Sequence, residues 1–325
     1  MVMSLDSFSP GYDQAAREAQ MSSSPFISVV VPTHNRPEML AEALASVRAQ
    51  TFTDYEIIAV SNGESDDVRR ASHESATAYD ARYFTLPDGN ASVARNFGIE
   101  HANGEWIALL DDDDLWLPNK LERQIAEAER TGADMVTCDF VEFFQDGREF
   151  IRRHRCPEGW PYVKAISHFR WFAATGATLI RKHVIDEVGG FDPRQRYNED
   201  NDLWRRISRR HTIHQMDDVL MRYRKGHPSL LQDLERDERI LNRYLLRYYL
   251  KMRLDTPRDL RWALPSVATF VLPRLATIYG PGWLSRLRAR LRLRTRWMEF
   301  RRWLRARFAI IDALLPLLWL ATCTV

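Results

Sequence analysis

Four consecutive aspartates, Asp111, Asp112, Asp113 and Asp114, form the densest group of chemically capable side chains in the sequence. Like charges packed this closely repel, so either the carboxyls keep their protons or positive charge neutralises them. A hard divalent cation with oxygen ligands is the economical counter-charge. The acids follow a short apolar run, 106–110, opened by Gly104 and suited to a strand buried on both faces, so they sit at its carboxyl end. Strand periodicity sends Asp111 and Asp113 to one side and Asp112 and Asp114 to the other, which implies two roles, one metallic and one polar. Capping of the helix expected over 118–130 would need one aspartate, not four.

Four further groups could act with them. Thr33, Asn35 and Arg36 follow an expected strand over 26–31, and Asn62 follows another over 55–60; this polar set can hydrogen-bond a base and ribose and help hold a metal. Arg95 stands in a stretch of small residues, 88–96, entering a helix, where an arginine suits phosphate or sugar oxygens; the plain alternative is a surface arginine paired with a helix neighbour. Glu199 and Asp200 fall in the first turn of a helix whose apolar stripe is Leu203, Trp204 and Ile207. The helix dipole there favours the ionised form that a general base needs, though acids also cap helices. His227 follows an expected edge strand over 219–224, and by chemistry alone a lone histidine is more often structural.

The elements that must position these groups alternate. Strands over 26–31, 55–60, 82–86 and 106–110 are separated by helices over 38–50, after 61–67, and over 91–102. That order predicts an α/β, Rossmann-like, mostly parallel sheet with helices on both faces and a ligand crevice at the carboxyl ends of its strands. Neither a P-loop nor a dinucleotide fingerprint is present, which disfavours nicotinamide chemistry. Further on, 133–144 and 148–154 read as a hairpin around 145–147. The aromatic stretch 156–174 suits either sugar stacking or core. Strand character returns over 175–181, and 182–188 reads as a short helix ended by Gly189 and Gly190 in a left-handed cap.

The chain has 325 residues, 45% hydrophobic and 28% charged, enough to bury a real core. Its net charge of +2 conceals acids concentrated before about residue 150 and arginines crowding the last quarter. Three dispersed cysteines, Cys138, Cys156 and Cys323, suit a reducing compartment, hence the cytoplasm. Residues 1–25 read as a disordered leader with a short helix around 14–20. After residue 230, a helical segment to 250 and a proline-punctuated stretch lead to a basic amphipathic segment, 283–308. This segment suits an anionic membrane surface or an ordinary folded-back helical subdomain. The apolar end, 309–325, is interrupted by Asp312 and Pro316 and falls short of the roughly 20 residues that span a bilayer. No nucleic acid partner is expected, because the arginines are interleaved with large aliphatics.

Taken in order, the segments 28–37, 60–66, 94–98, 104–118, 189–193 and 199–206 resemble glycosyltransferase family 2 over roughly 26–230. The resemblance implies the A-type glycosyltransferase fold, a nucleotide-diphosphate sugar donor with a UDP-sugar first among candidates, Mn2+ or Mg2+ on a DxD-type motif, and inverting transfer. Residue by residue, it implies that Thr33 and Asn62 line the nucleobase site, Asp112 contacts the ribose, and Arg95 lies near the nucleotide. It also implies that Asp113 holds the metal with Asp111 assisting, Asp200 is the base with Glu199 beside it in the acceptor site, and His227 approaches the diphosphate or metal. Where the family often has two aspartates in the second loop, this chain has Ser61 and Asn62; an asparagine offers both donor and acceptor, which leaves the choice of nucleotide open. The expected organisation is a leader (1–25), a catalytic domain (26–230) with a nucleotide-sugar half (26–118) and an acceptor half (119–230), and a helical, basic and apolar extension (231–325). The expected activity is sugar transfer to a saccharide or lipid-linked saccharide in cell-envelope polysaccharide biosynthesis, by a cytoplasmic enzyme peripheral to the inner face of the membrane. A nucleotidyltransferase acting on a sugar phosphate and a noncatalytic membrane-associated binding protein are the alternatives.

Overall fold

The computed structural model describes residues 24–63, 65–153, 155–156, 161–162, 173–195 and 198–226. The leader, His227, most of the aromatic stretch and the whole extension after 230 lie outside the described residues. The chain divides into two compact units, one of residues 1–155, 172–193 and 206–227, the other of residues 156–171, 194–205 and 228–325. All strands of the sheet belong to the first.

The first unit is built on β1 (Ile27–Thr33), β2 (Tyr55–Ser61), β3 (Arg82–Thr85) and β4 (Trp106–Leu109), interleaved with α1 (Pro37–Arg48), α2 (Asp66–Ala78) and α3 (Ala91–Glu100). These four strands are parallel, in the spatial order β3-β2-β1-β4. Every residue of β1 and β4 is buried, as continuous apolar runs in a parallel sheet require. The two faces are filled separately. Ile27, Val29 and Val31 join the core containing Leu40, Leu44 and Val47 of α1. Val30 points the other way, to Gly98 of α3, where an added Cβ would lie 2.4 Å from its Cγ1. Glycine there lets α3 settle onto the strand and carries Arg95 over the sheet.

Beyond β4 come β5 (Leu115–Trp116), α4 (Lys120–Thr131), β6 (Met135–Phe144), β7 (Glu149–Arg152), a 3-10 turn over Thr175–Ala177, β8 (Thr178–Arg181) and α5 (Lys182–Val188). The chain then runs through α6 (Glu199–Ile207) to β9 (Ile213–Lys225). The sheet extends as β4-β8-β6-β9-β5, with β7 paired to β6. β6 and β9 are parallel, while β8 runs antiparallel to both β4 and β6. The expected Rossmann-like sheet with packed helices is therefore present, mixed in its second half.

Several boundaries differ from the sequence reading. The α4 helix begins at Lys120, leaving Pro118 before the cap residue Asn119, because the Pro118 carbonyl accepts the N–H of Thr51 (2.8 Å). The expected edge strand over 219–224 is part of the long β9, which lies between β6 and β5 and so is not an edge. Leu115 and Trp116, read only as apolar walls of the acidic cluster, form a short strand on β9. The hairpin of β6 and β7 and the left-handed Gly189 (φ 82°) after α5 are as expected.

Candidate active site at the carboxyl end of the parallel strands

The acidic turn starts where β4 stops. The Leu110 N–H still bonds the Val30 carbonyl (3.1 Å), and then the Asp114 N–H turns back to the Asp111 carbonyl (3.1 Å). Alternation survives in burial: Asp112 and Asp114 are buried, while Asp111 and Asp113 are part-exposed. It fails for the partners, because the turn brings Asp112 and Asp113 to the same cation. Arg36 reaches Asp113 Oδ2 through Nη1 (2.6 Å) and Asp112 Oδ1 through Nη2 (3.2 Å).

Asp112 is the most enclosed of the expected site acids. The Thr33 hydroxyl donates to its Oδ2 (2.7 Å), and the His34 N–H approaches the same oxygen (3.4 Å). Burial pushes its carboxyl up to about 7, against the pull of Arg36. Asp111 meets Arg95 (2.6 Å), whose guanidinium is buried and lies 5.2 Å from the ring centroid of Phe191. Arg95 is thus neither the surface arginine of the plain alternative nor directed at solvent. Asp114 accepts the Arg224 N–H on Oδ1 (2.9 Å), and burial with the neighbouring acids pushes its carboxyl well above the usual range. The Arg224 guanidinium also donates to the Asp113 carbonyl (2.9 Å) and pairs with Glu42 (2.5 Å). The turn is therefore clamped by β9.

The second loop lies beside the first. The Asn62 N–H bonds the Thr33 carbonyl (3.2 Å), the Asn62 carbonyl meets His34 Nδ1 (2.9 Å), and Asn62 Nδ2 donates to the Gly89 carbonyl (2.8 Å). Asn35 adopts a left-handed φ of 56°, which asparagine tolerates, and its amide lies 3.3 Å from His34 Nε2. Thr33, Asn35, Arg36, Asn62, Arg95 and the acids are thus brought together within the first unit. Sequence reasoning missed Asp114 as a clamp, and with it His34, Phe191 and Arg224. The partners of the acids stand as far as 111 residues away along the chain, and no local spacing announces them.

Glu199 and Asp200 belong to the second unit. They open α6 after Asn198, which has a φ of 55° and whose carbonyl accepts the Asp202 N–H (3.0 Å). The Asp200 carboxylate accepts the Asn201 N–H (2.6 Å). Leu203, Trp204 and Ile207 are fully buried, as the stripe predicted. A buried pair between Asp202 and Arg205 (2.9 Å) adds a restraint within the helix.

Among the described residues no three His, Cys, Asp or Glu side chains form a ready-made metal cage. The donor chemistry nevertheless fits Mg2+ or Mn2+. Such ions keep waters and bind through one or two carboxylates plus substrate phosphates. Asp111 and Asp113, with side chains 26% and 18% exposed, offer hard oxygens of that kind. Arg36 already stands as a positive charge on Asp113.

Comparison with known proteins gives the family and the fold. Residues 28–199, more than half the chain, match the model of glycosyl transferase family 2. The chain is 30% identical over 174 residues to the glycosyltransferase AglE of Haloferax volcanii, covering 52% of this chain and 57% of AglE. It is 27% identical over 187 residues to the O-antigen biosynthesis glycosyltransferase WbnJ of Escherichia coli, covering 56% and 71%. An uncharacterised Rickettsia typhi glycosyltransferase, RT0329, is 27% identical over 219 residues, covering 63% and 65%. The match thus spans less than two thirds of AglE and RT0329. In fold, the chain resembles S. aureus TarS in complex with UDP-GlcNAc (TM-score 0.54, 16% identity, 78% and 83% coverage). It also resembles the Pyrobaculum calidifontis mannosyltransferase PcManGT with GDP-Man and Mn2+ (TM-score 0.51, 16% identity, 95% and 94% coverage). With the family model matched over more than half its length, the chain belongs to glycosyl transferase family 2.

Proposed function

We propose that the chain transfers a sugar from a nucleotide-diphosphate sugar, a UDP-sugar first among candidates, to a hydroxyl of a saccharide or lipid-linked saccharide, with inversion at the anomeric carbon. The observation that carries this reading is the convergence of Thr33, Arg36 and Arg95 on three adjacent carboxylates at the ends of parallel strands, each at 2.6–2.7 Å. Thr33 and Asn62 receive the base, Asp112 the ribose, and Asp113 with Asp111 a divalent cation. When bound, that cation offsets charge on the departing diphosphate. Asp200 takes the acceptor proton as its hydroxyl oxygen attacks the anomeric carbon from the side opposite the leaving group, with Glu199 beside it in the acceptor site. His227 acts toward the diphosphate. The complexes of TarS with UDP-GlcNAc and of PcManGT with GDP-Man and Mn2+ support a donor and ion of these classes. The name of WbnJ supports a cell-envelope saccharide acceptor. Among the described residues no helix is long and apolar enough to cross a membrane. We further propose, on the arginine-rich sequence of 283–308, that this basic segment holds the enzyme peripherally at the inner face.

The test is a panel of nucleotide sugars in thermal shift with and without Mn2+ or Mg2+, followed by product analysis. A ligand that binds only the native state raises its melting temperature. One nucleotide sugar should do so in a metal-dependent way and yield nucleoside diphosphate and an inverted glycoside. Release of pyrophosphate, or retained configuration, would refute the mechanism.

A further inference from the structure

The four aspartates are balanced in three different ways, and only one of them is exchangeable. Arg95 is buried, 5% exposed, and packed on Phe191, so its pair with Asp111 is fixed by the core. Asp114 is 1% exposed and bound to a backbone N–H of β9. Arg36 differs: its side chain is 32% exposed and lies on part-exposed Asp113, and the two carboxylates are the only ion-pair partners of its guanidinium among the described residues. It also immediately precedes α1, whose N-terminus no side chain caps.

We propose that Arg36 is a built-in counter-ion for Asp113, exchanged for the divalent cation when it enters and then moved onto the phosphate oxygens of the donor. This rests on the reading of Asp113 as the metal ligand. A divalent cation and a guanidinium held on one carboxylate repel each other strongly, so entry of the metal favours departure of the guanidinium from Asp113. A guanidinium displaced into water gives up its charge-assisted bonds, which weakens cation binding by the enzyme alone. A diphosphate beside it restores such bonds, often in a bidentate form. The cation and the nucleoside diphosphate then bind cooperatively, and because binding couplings are reciprocal each tightens the other by the same factor. Arg36 thus disfavours occupation of the acidic turn by metal alone and favours occupation by metal and donor together.

The experiment measures Mn2+ binding to the full chain by electron paramagnetic resonance of the free ion, with and without UDP as the diphosphate probe. The variants are Arg36→Gln, Arg36→Lys and Asp113→Asn. Arg36→Gln should bind Mn2+ alone on the order of tenfold more tightly than the parent, and UDP should strengthen that binding less than it does in the parent. Arg36→Lys, which keeps a charge without the two-pronged contact, should fall between them and serves if the glutamine variant does not fold. Equal or weaker Mn2+ binding in both Arg36 variants, while Asp113→Asn abolishes binding, would overturn the exchange and leave the metal assignment standing. Unchanged binding in Asp113→Asn would refute the metal assignment itself, and the exchange with it.

Discussion

Lys120 lies fully buried at the start of α4, its ammonium 2.7 Å from Gln124 Oε1 and 4.0 Å from the ring centroid of Trp116. Burial lowers it from 10.5 to about 8, while burial raises the nearby Cys138 thiol from 9.0 to about 11. Between about 8 and 10.5 the unfolded chain holds a lysine proton that the folded chain has lost, so stability rises with pH. Between 9.0 and about 11 the folded chain keeps a thiol proton that the unfolded chain has lost, so stability falls. The lysine therefore acts alone from pH 8 to 9, where it adds up to about 1.4 kcal/mol, and the two slopes cancel above 9. Over the whole window the lysine contributes about 3 kcal/mol. Lys120→Met removes the charge but keeps most of the volume. It also loses the cation–π contact and leaves Gln124 without its donor, a pH-independent cost that shifts the curve without tilting it. Urea unfolding of both proteins under reducing conditions at pH 7.5, 8, 9 and 10 measures the tilt. The parent should gain stability from 8 to 9 and level off, whereas Lys120→Met should stay flat and then decline. Parallel curves for the two proteins between pH 8 and 9 would refute the reasoning.

Other consequences are as direct. Asp200→Asn should bind donor normally in thermal shift yet lose on the order of a hundredfold or more in transfer; near-parental turnover would reassign the base. Gly98→Ala places a methyl 2.4 Å from Val30 Cγ1, both of them in packed elements, and should cost about 1–3 kcal/mol in urea unfolding. A variant as stable as the parent would mean that α3 slides freely on β1. A protein ending at Leu254 should stay folded and bind donor but no longer sediment with anionic vesicles, and equal sedimentation of the truncated and full chains would remove the membrane role of the extension.

The alternation of apolar runs with helical spacing determined the parallel core, because burial on both faces leaves β1 and β4 no polar positions beyond Ser28 and the terminal Thr33. The four adjacent aspartates likewise marked where positive charge must gather, since charge density of that kind requires a counter-charge whatever the fold. Gly189 was legible because a left-handed cap is a local property of backbone sterics. What the sequence left undecided depends on residues distant in the chain. The antiparallel β8 between β4 and β6 and the inward placement of β9 follow from which strand edges remain open once the first four have paired, a choice no single segment carries. The partition of the acids is of the same kind. Asp111 and Asp113 read alike in sequence, yet one is fixed by an arginine buried against Phe191 and the other is held by a part-exposed arginine from the loop after β1. Burial and the identity of the opposing cation set those roles, and both arise only when Thr33, Arg36, Arg95 and Arg224 close around the turn.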